Sequence, residues 1–71
     1  MPEEATFKMI ELVGVSPKGY AEAIRKAIGD ASKTLRGLAW FEVVDQRGII
    51  KDGKVAEFQV KVKVAFKVMR E

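Results

Sequence analysis

The stretch Lys51-Asp52-Gly53-Lys54, followed by Phe58-Gln59-Val60-Lys61-Val62-Lys63-Val64-Ala65-Phe66-Lys67-Val68, decides the fold. Asp-Gly is a two-residue turn of the type I′ class, because both central residues must take positive φ. Beyond the turn, Phe58, Val60, Val62, Val64, Phe66 and Val68 alternate with Gln59, Lys61, Lys63, Ala65 and Lys67. Strict alternation is the mark of a half-buried strand, so the spacing predicts a strand over 54–69 and a pairing arm over 39–51. A two-residue loop sets the register. Lys51 faces Lys54, Phe41 meets Val64 and Val43 meets Val62 on the apolar face. On the other face Trp40 meets Ala65, Glu42 meets Lys63, Val44 meets Lys61 and Gln46 meets Gln59. The opposite charges of Glu42 and Lys63 favour this pairing.

Upstream, residues 6–14 are rich in β-formers and end at Gly14, which predicts a first strand. Ser16-Pro17 reads as an N-cap followed by proline at the first helical position. Ile24, Ala27, Ile28, Ala31 and Leu35 then recur in steps of three and four, predicting a helix over 17–36 that stops at Gly37. A helical crossover makes the first two strands parallel. The long third strand fits between them, antiparallel to both. The expected class is α+β: one β-α-β-β domain over 1–71, a three-stranded antiparallel sheet wrapped around one helix, with a flexible N-terminus over 1–5.

Composition narrows the function. A chain of 71 residues buries only about 60% of the surface it exposes when unfolded, so it needs a staple, a metal or an oligomer. There is no cysteine and no histidine. That removes disulfides, thiolate zinc sites and thiol nucleophiles, together with the commonest metal ligand and general base. The staple must then come from subunit packing, or the fold must be unusually well idealised. Ser16 and Ser32 have no histidine to activate them, so we expect neither a catalytic nor a metal site, and no enzyme. The net charge of +3 is mild and the charges are interspersed, unlike the clustered basic face of a nucleic-acid binder. No apolar run approaches the ~20 residues of a membrane helix, and Met1-Pro2-Glu3-Glu4 does not read as a signal peptide. A cytoplasmic location is expected.

The register turns Trp40 away from the helix, onto a face that one helix cannot cover. An exposed tryptophan there needs a reason. It is either packing against a neighbouring subunit or a stacking platform for a planar ligand. Residues alone leave three readings open: a ligand-binding oligomer, a structural or protein-interaction subunit, and a small nucleic-acid domain that stacks bases on Trp40.

Read together, Glu11-Leu-Val-Gly14 with Ser16, Lys33-Thr-Leu35, Trp40-Phe-Glu-Val43, and Phe58-Gln-Val60 before Val64-Ala-Phe66 resemble the dodecin family, from about Phe7 to Val68. The resemblance implies a hollow closed sphere of twelve copies, a homododecamer that holds flavins in stacked pairs at subunit contacts. It implies that Trp40 stacks on the isoalloxazine ring and that Gln59 hydrogen-bonds its polar edge. It further implies flavin storage, buffering and photoprotection, with FMN, riboflavin or a degradation product as ligand; some bacterial relatives also bind coenzyme A. Arg47 and Lys67 are candidates for the ribityl-phosphate tail and Asp45 for the ribityl hydroxyls. Lys67 stands where bacterial relatives often carry arginine, and lysine lacks the bidentate fork. The simple register puts Arg47 on the helix side, which calls for a bulge after Asp45 or for a role at the rim. Trp40 and Gln59 share a face six positions apart along the hairpin, roughly 20 Å at the rise of a strand. We therefore expect one ring to take them from different subunits.

Overall fold

The helix lies across one half of the sheet because three alanines let it. The computed structural model describes residues 4–68. The chain runs β1 (Phe7–Ser16), α1 (Tyr20–Ala31), β2 (Leu38–Lys51) and β3 (Lys54–Lys67). The sheet order is β1-β3-β2, with β3 antiparallel to both neighbours, as the turn and crossover require. The part of the N-terminal expectation that covers residues 1–3, and the end of the third strand at Met69, lie outside the described residues.

Ala23, Ala27 and Ala31 form an i, i+4 row on α1 and are buried. Ala23 and Ala27 meet Val60, Val62 and Val64 of β3, each valine almost wholly enclosed, with Ile10, Leu12, Ile24, Ile28 and Leu38 packed around them. The isoleucines therefore flank the contact line, and the alanines form it. Small side chains bring the helix axis close to the sheet. Gly14 completes this fit: a Cβ there would run into the carbonyl oxygen of Ala23 and touch the Ala27 Cβ at 3.0 Å. Gly14 is thus an interior residue of β1, and the strand continues to Ser16, two residues past the expected end.

The helix is shorter than the pattern suggests. Ser16 is the buried last residue of β1, and its Oγ accepts a hydrogen bond from the Lys18 amide at 3.0 Å. It stabilises a turn before the helix and is not its cap; Gly19 holds the N-cap position. At the other end, the Ser32 hydroxyl donates to the Gly29 carbonyl at 2.8 Å, a local bond that competes with helix continuation. Turns carry the chain from there to β2, closed by hydrogen bonds such as Leu35 N–H to the Ala31 carbonyl. Gly37 takes φ 74° in this connection, six residues beyond the helix.

The hairpin turn forms as expected, with Asp52 at φ 53° and Gly53 at φ 76° and Lys51 opposite Lys54. The register holds beside the turn and from Trp40 to Val43 and fails between, while before Trp40 a separate slip at Ala39 sets Leu38 opposite Phe66. Trp40 faces Ala65, Phe41 faces Val64, Glu42 faces Lys63 and Val43 faces Val62. Val44 is then an extra residue on β2, so Asp45 faces Lys61, Gln46 faces Val60 and Arg47 faces Gln59. The expected pairs Val44–Lys61 and Gln46–Gln59 do not form. A second irregularity, beside Ala56 on β3, restores the original register before the turn. Each bulge adds one residue to one strand; because they fall on opposite strands, they cancel.

Candidate functional site

Residues paired across an antiparallel ladder share a face, so the register defines the side of the sheet away from α1. It carries Phe7, Met9, Glu11, Val13 and Val15 of β1, the odd-numbered residues Gln59 to Lys67 of β3, and Trp40, Glu42, Asp45 and Arg47 of β2. Trp40 is turned outward, as expected, and 45% of its surface is exposed. Its flank is built by neighbours on all three strands. Met9 and Trp40 both face Ala65, whose small side chain is fully covered between them. Phe7 leans on the indole, with ring centroids 4.9 Å apart and planes tilted by 55°. The indole Nε1 lies 3.4 Å from Glu42 Oε2. These contacts restrict the rotamer of a large aromatic side chain while leaving part of its surface to solvent.

At the opposite end of the same face β2 and β3 are polar, beside Val13 and Val15 of β1. The bulge at Val44 places Arg47 on the open side, which corrects the expectation of a helix-side arginine; the bulge precedes Asp45 and does not follow it. Arg47 Nε donates to Gln59 Oε1 at 2.7 Å, and Gln59 Nε2 donates to Glu57 Oε1 at 2.9 Å. Val13, Asp45, Arg47, Gln59 and Lys61 line one shallow dent. Asp45 Oδ1 accepts the backbone amide of Gln46 at 2.9 Å, which holds the carboxylate beside the bulge.

The five candidate residues thus fall into two groups. Asp45, Arg47 and Gln59 come together, whereas Trp40 and Lys67 lie at the far end, Lys67 being paired with Phe7. Ala65, opposite Trp40, stands six positions along β3 from Gln59; at the rise of a strand this is about 20 Å. Sequence reasoning missed Phe7, because nothing local sets the pairing of β1 with β3. It also missed Glu57, whose position two residues before Gln59 on one strand was a usable signal.

The chemistry available follows from these groups. One end offers an indole face for stacking. The other offers an amide, a guanidinium and a carboxylate for hydrogen bonding. Among the described residues there is no cluster of three or more metal-ligating side chains, and no helix is long and apolar enough to cross a membrane.

Comparison with known proteins agrees with this architecture. The family model described as Dodecin matches residues 6–69. The chain is 47% identical over 62 residues to a protein named Dodecin from Thermus thermophilus, covering 87% of this chain and 90% of that one. It superposes on the dodecin of Streptomyces coelicolor with a TM-score of 0.93 at 44% identity, covering 99% of this chain and 100% of the other. The dodecin of Streptomyces davaonensis gives 0.92 at 44% identity, over 96% of this chain and all of that one. With its β-α-β-β order, its outward tryptophan and a family match along nearly its whole length, the chain belongs to the dodecin family.

Proposed function

We propose that this protein binds flavin, stacking the isoalloxazine ring on Trp40, and serves to store flavin, buffer its concentration and protect against its photochemistry. The observation that carries the reading is the placement of Trp40: outward, 45% exposed and braced by Phe7 on the face that α1 leaves bare. The chain's own residues fit the ring. An indole face suits a flat heterocycle, and a glutamine amide supplies both the donor and the acceptor that a pyrimidine-like edge requires. An electron-rich indole against a photoexcited ring also offers a direct route to quenching. FMN is the favoured ligand and riboflavin the alternative, since Arg47 can meet a phosphate with the guanidinium N–H groups not used on Gln59.

The separation of about 20 Å between Trp40 and Gln59 is longer than the ring. Each site therefore takes the two residues from different copies in a closed homo-oligomer of twelve, and assembly and binding are one event. The exposed apolar residues Phe41, Val43, Val44 and Ile50 on β2 support burial against further copies.

The test is a titration of flavin fluorescence against protein of measured solution mass, with Trp40→Ala alongside. Wild-type oligomer is expected to quench the emission strongly, and Trp40→Ala to bind at least about tenfold more weakly, near 1.4 kcal/mol, with most quenching lost. An oligomer that ignores added flavin, or binds it with undiminished emission, would refute the proposal.

A further inference from the structure

A glutamine amide can be turned end for end, which exchanges its donor and its acceptor. Gln59 lacks that freedom. Its Oε1 receives Arg47 Nε at 2.7 Å and its Nε2 gives a hydrogen bond to Glu57 Oε1 at 2.9 Å. A guanidinium can only donate, and a carboxylate can only accept. Turning the amide would set its N–H groups against Arg47 and its oxygen against Glu57, so both contacts would become repulsive. Both partners are placed by the fold. The bulge at Val44 brings Arg47 opposite Gln59, and the two-residue spacing on β3 puts Glu57 on the same face.

We propose that Glu57, acting with Arg47, is a positioning residue that sets the direction of the Gln59 amide and with it the kind of ligand edge the site accepts. After these two bonds, Gln59 retains one N–H and one oxygen lone pair. They form a donor next to an acceptor in a fixed order. The complementary edge is a ring carbonyl beside a ring N–H, as in a cyclic imide. The inference rests on the flavin reading and adds to it that the imide edge is read in one sense only, by a residue that need not touch the ligand.

The experiment compares the affinity of the intact oligomer for riboflavin and for its N3-methyl derivative, which keeps the stacking surface and lacks the imide N–H. Wild-type protein is expected to prefer riboflavin by about tenfold, the worth of one buried hydrogen bond. Glu57→Ala is expected to keep assembly and quenching on Trp40, with the preference reduced to about threefold or less. Glu57→Gln, whose carboxamide oxygen can still accept from Nε2, should restore most of the preference. Glu57→Asp retains the charge but draws the oxygens back from Nε2, and should lose part of it. Wild-type discrimination persisting unchanged in both Glu57→Ala and Glu57→Asp overturns the role of Glu57 and leaves the flavin reading standing. A wild-type oligomer that binds neither flavin overturns that reading itself.

Discussion

The two halves of the sheet are built on opposite principles. Where β1 meets β3, the alanine row of α1 encloses Val60, Val62 and Val64 almost completely. Across the sheet, Phe41 and Val43 of β2 stand on the same side as those valines, yet each leaves 45% of its surface exposed. The alternation is the same in both halves; the β1–β3 ladder is regular where the β2–β3 ladder is bulged, and the cover differs. One helix of twelve residues spans about 18 Å in length and 10 Å in width, enough for two strands and not three. The chain thus completes a core in one half and leaves the other as an unfinished core, the condition under which a small domain gains most from copies of itself.

The most severe way to break the covered half is Gly14→Ala. The added methyl group collides with helix backbone at Ala23, and backbone cannot step aside as a flexible side chain can. We expect a loss near the top of the overpacking range, about 3 kcal/mol, read as a lower denaturation midpoint; wild-type stability would show that α1 can lift off β1 cheaply. A smaller effect should separate the halves. Phe41→Ser with Val43→Ser removes apolar surface that the lone subunit leaves half in water, so its own packing loses little. If copies cover β2, the pair should weaken association by about 1 kcal/mol per side chain, seen as a lower mass in dilute solution by light scattering. Unchanged mass on dilution would mean that this stripe is solvent-facing in the assembly as well.

The smallest effect concerns the outer rim of the helix. Lys26, through a side-chain hydrogen bond and its charge, and Lys33 beyond it hold the Asp30 carboxyl below its ordinary 3.8, against a partial opposing effect of desolvation. A carboxylate with a lowered folded pKa contributes stability above its unfolded pKa and loses it as pH falls through the folded value. Asp30→Asn should therefore leave stability nearly unchanged at neutral pH and flatten the acid limb slightly, the pair being exposed to solvent. An acid limb identical to wild type would show that the ion pairs contribute nothing.

Much of this molecule could be read along the chain because its signals are local. The Asp52-Gly53 turn demands positive φ at two adjacent residues, and both adopt it. The alternation of β3 follows from the period of a strand, and the outward direction of Trp40 follows from turn and period together. Even so, that direction holds only because the bulges at Val44 and beside Ala56 cancel. Between them, the simple count assigned Arg47 to the wrong face. Val44-Asp45-Gln46 has no composition that marks a slip, since a bulge is chosen by how two strands and their neighbours pack. The helix end was equally hidden: the apolar steps run on to Leu35, whereas Ser32 and the connection to β2 stop α1 at Ala31.

Sequence alone determined the order of elements, the hairpin and the side on which the indole stands, because turn chemistry and side-chain period act within a few residues. Tertiary structure alone decided which side chains share a site. The contact of Phe7 with Trp40 and the Arg47–Gln59–Glu57 chain depend on ladder partners brought together from distant parts of the sequence, and a one-residue slip in such a ladder exchanges the faces of everything beyond it.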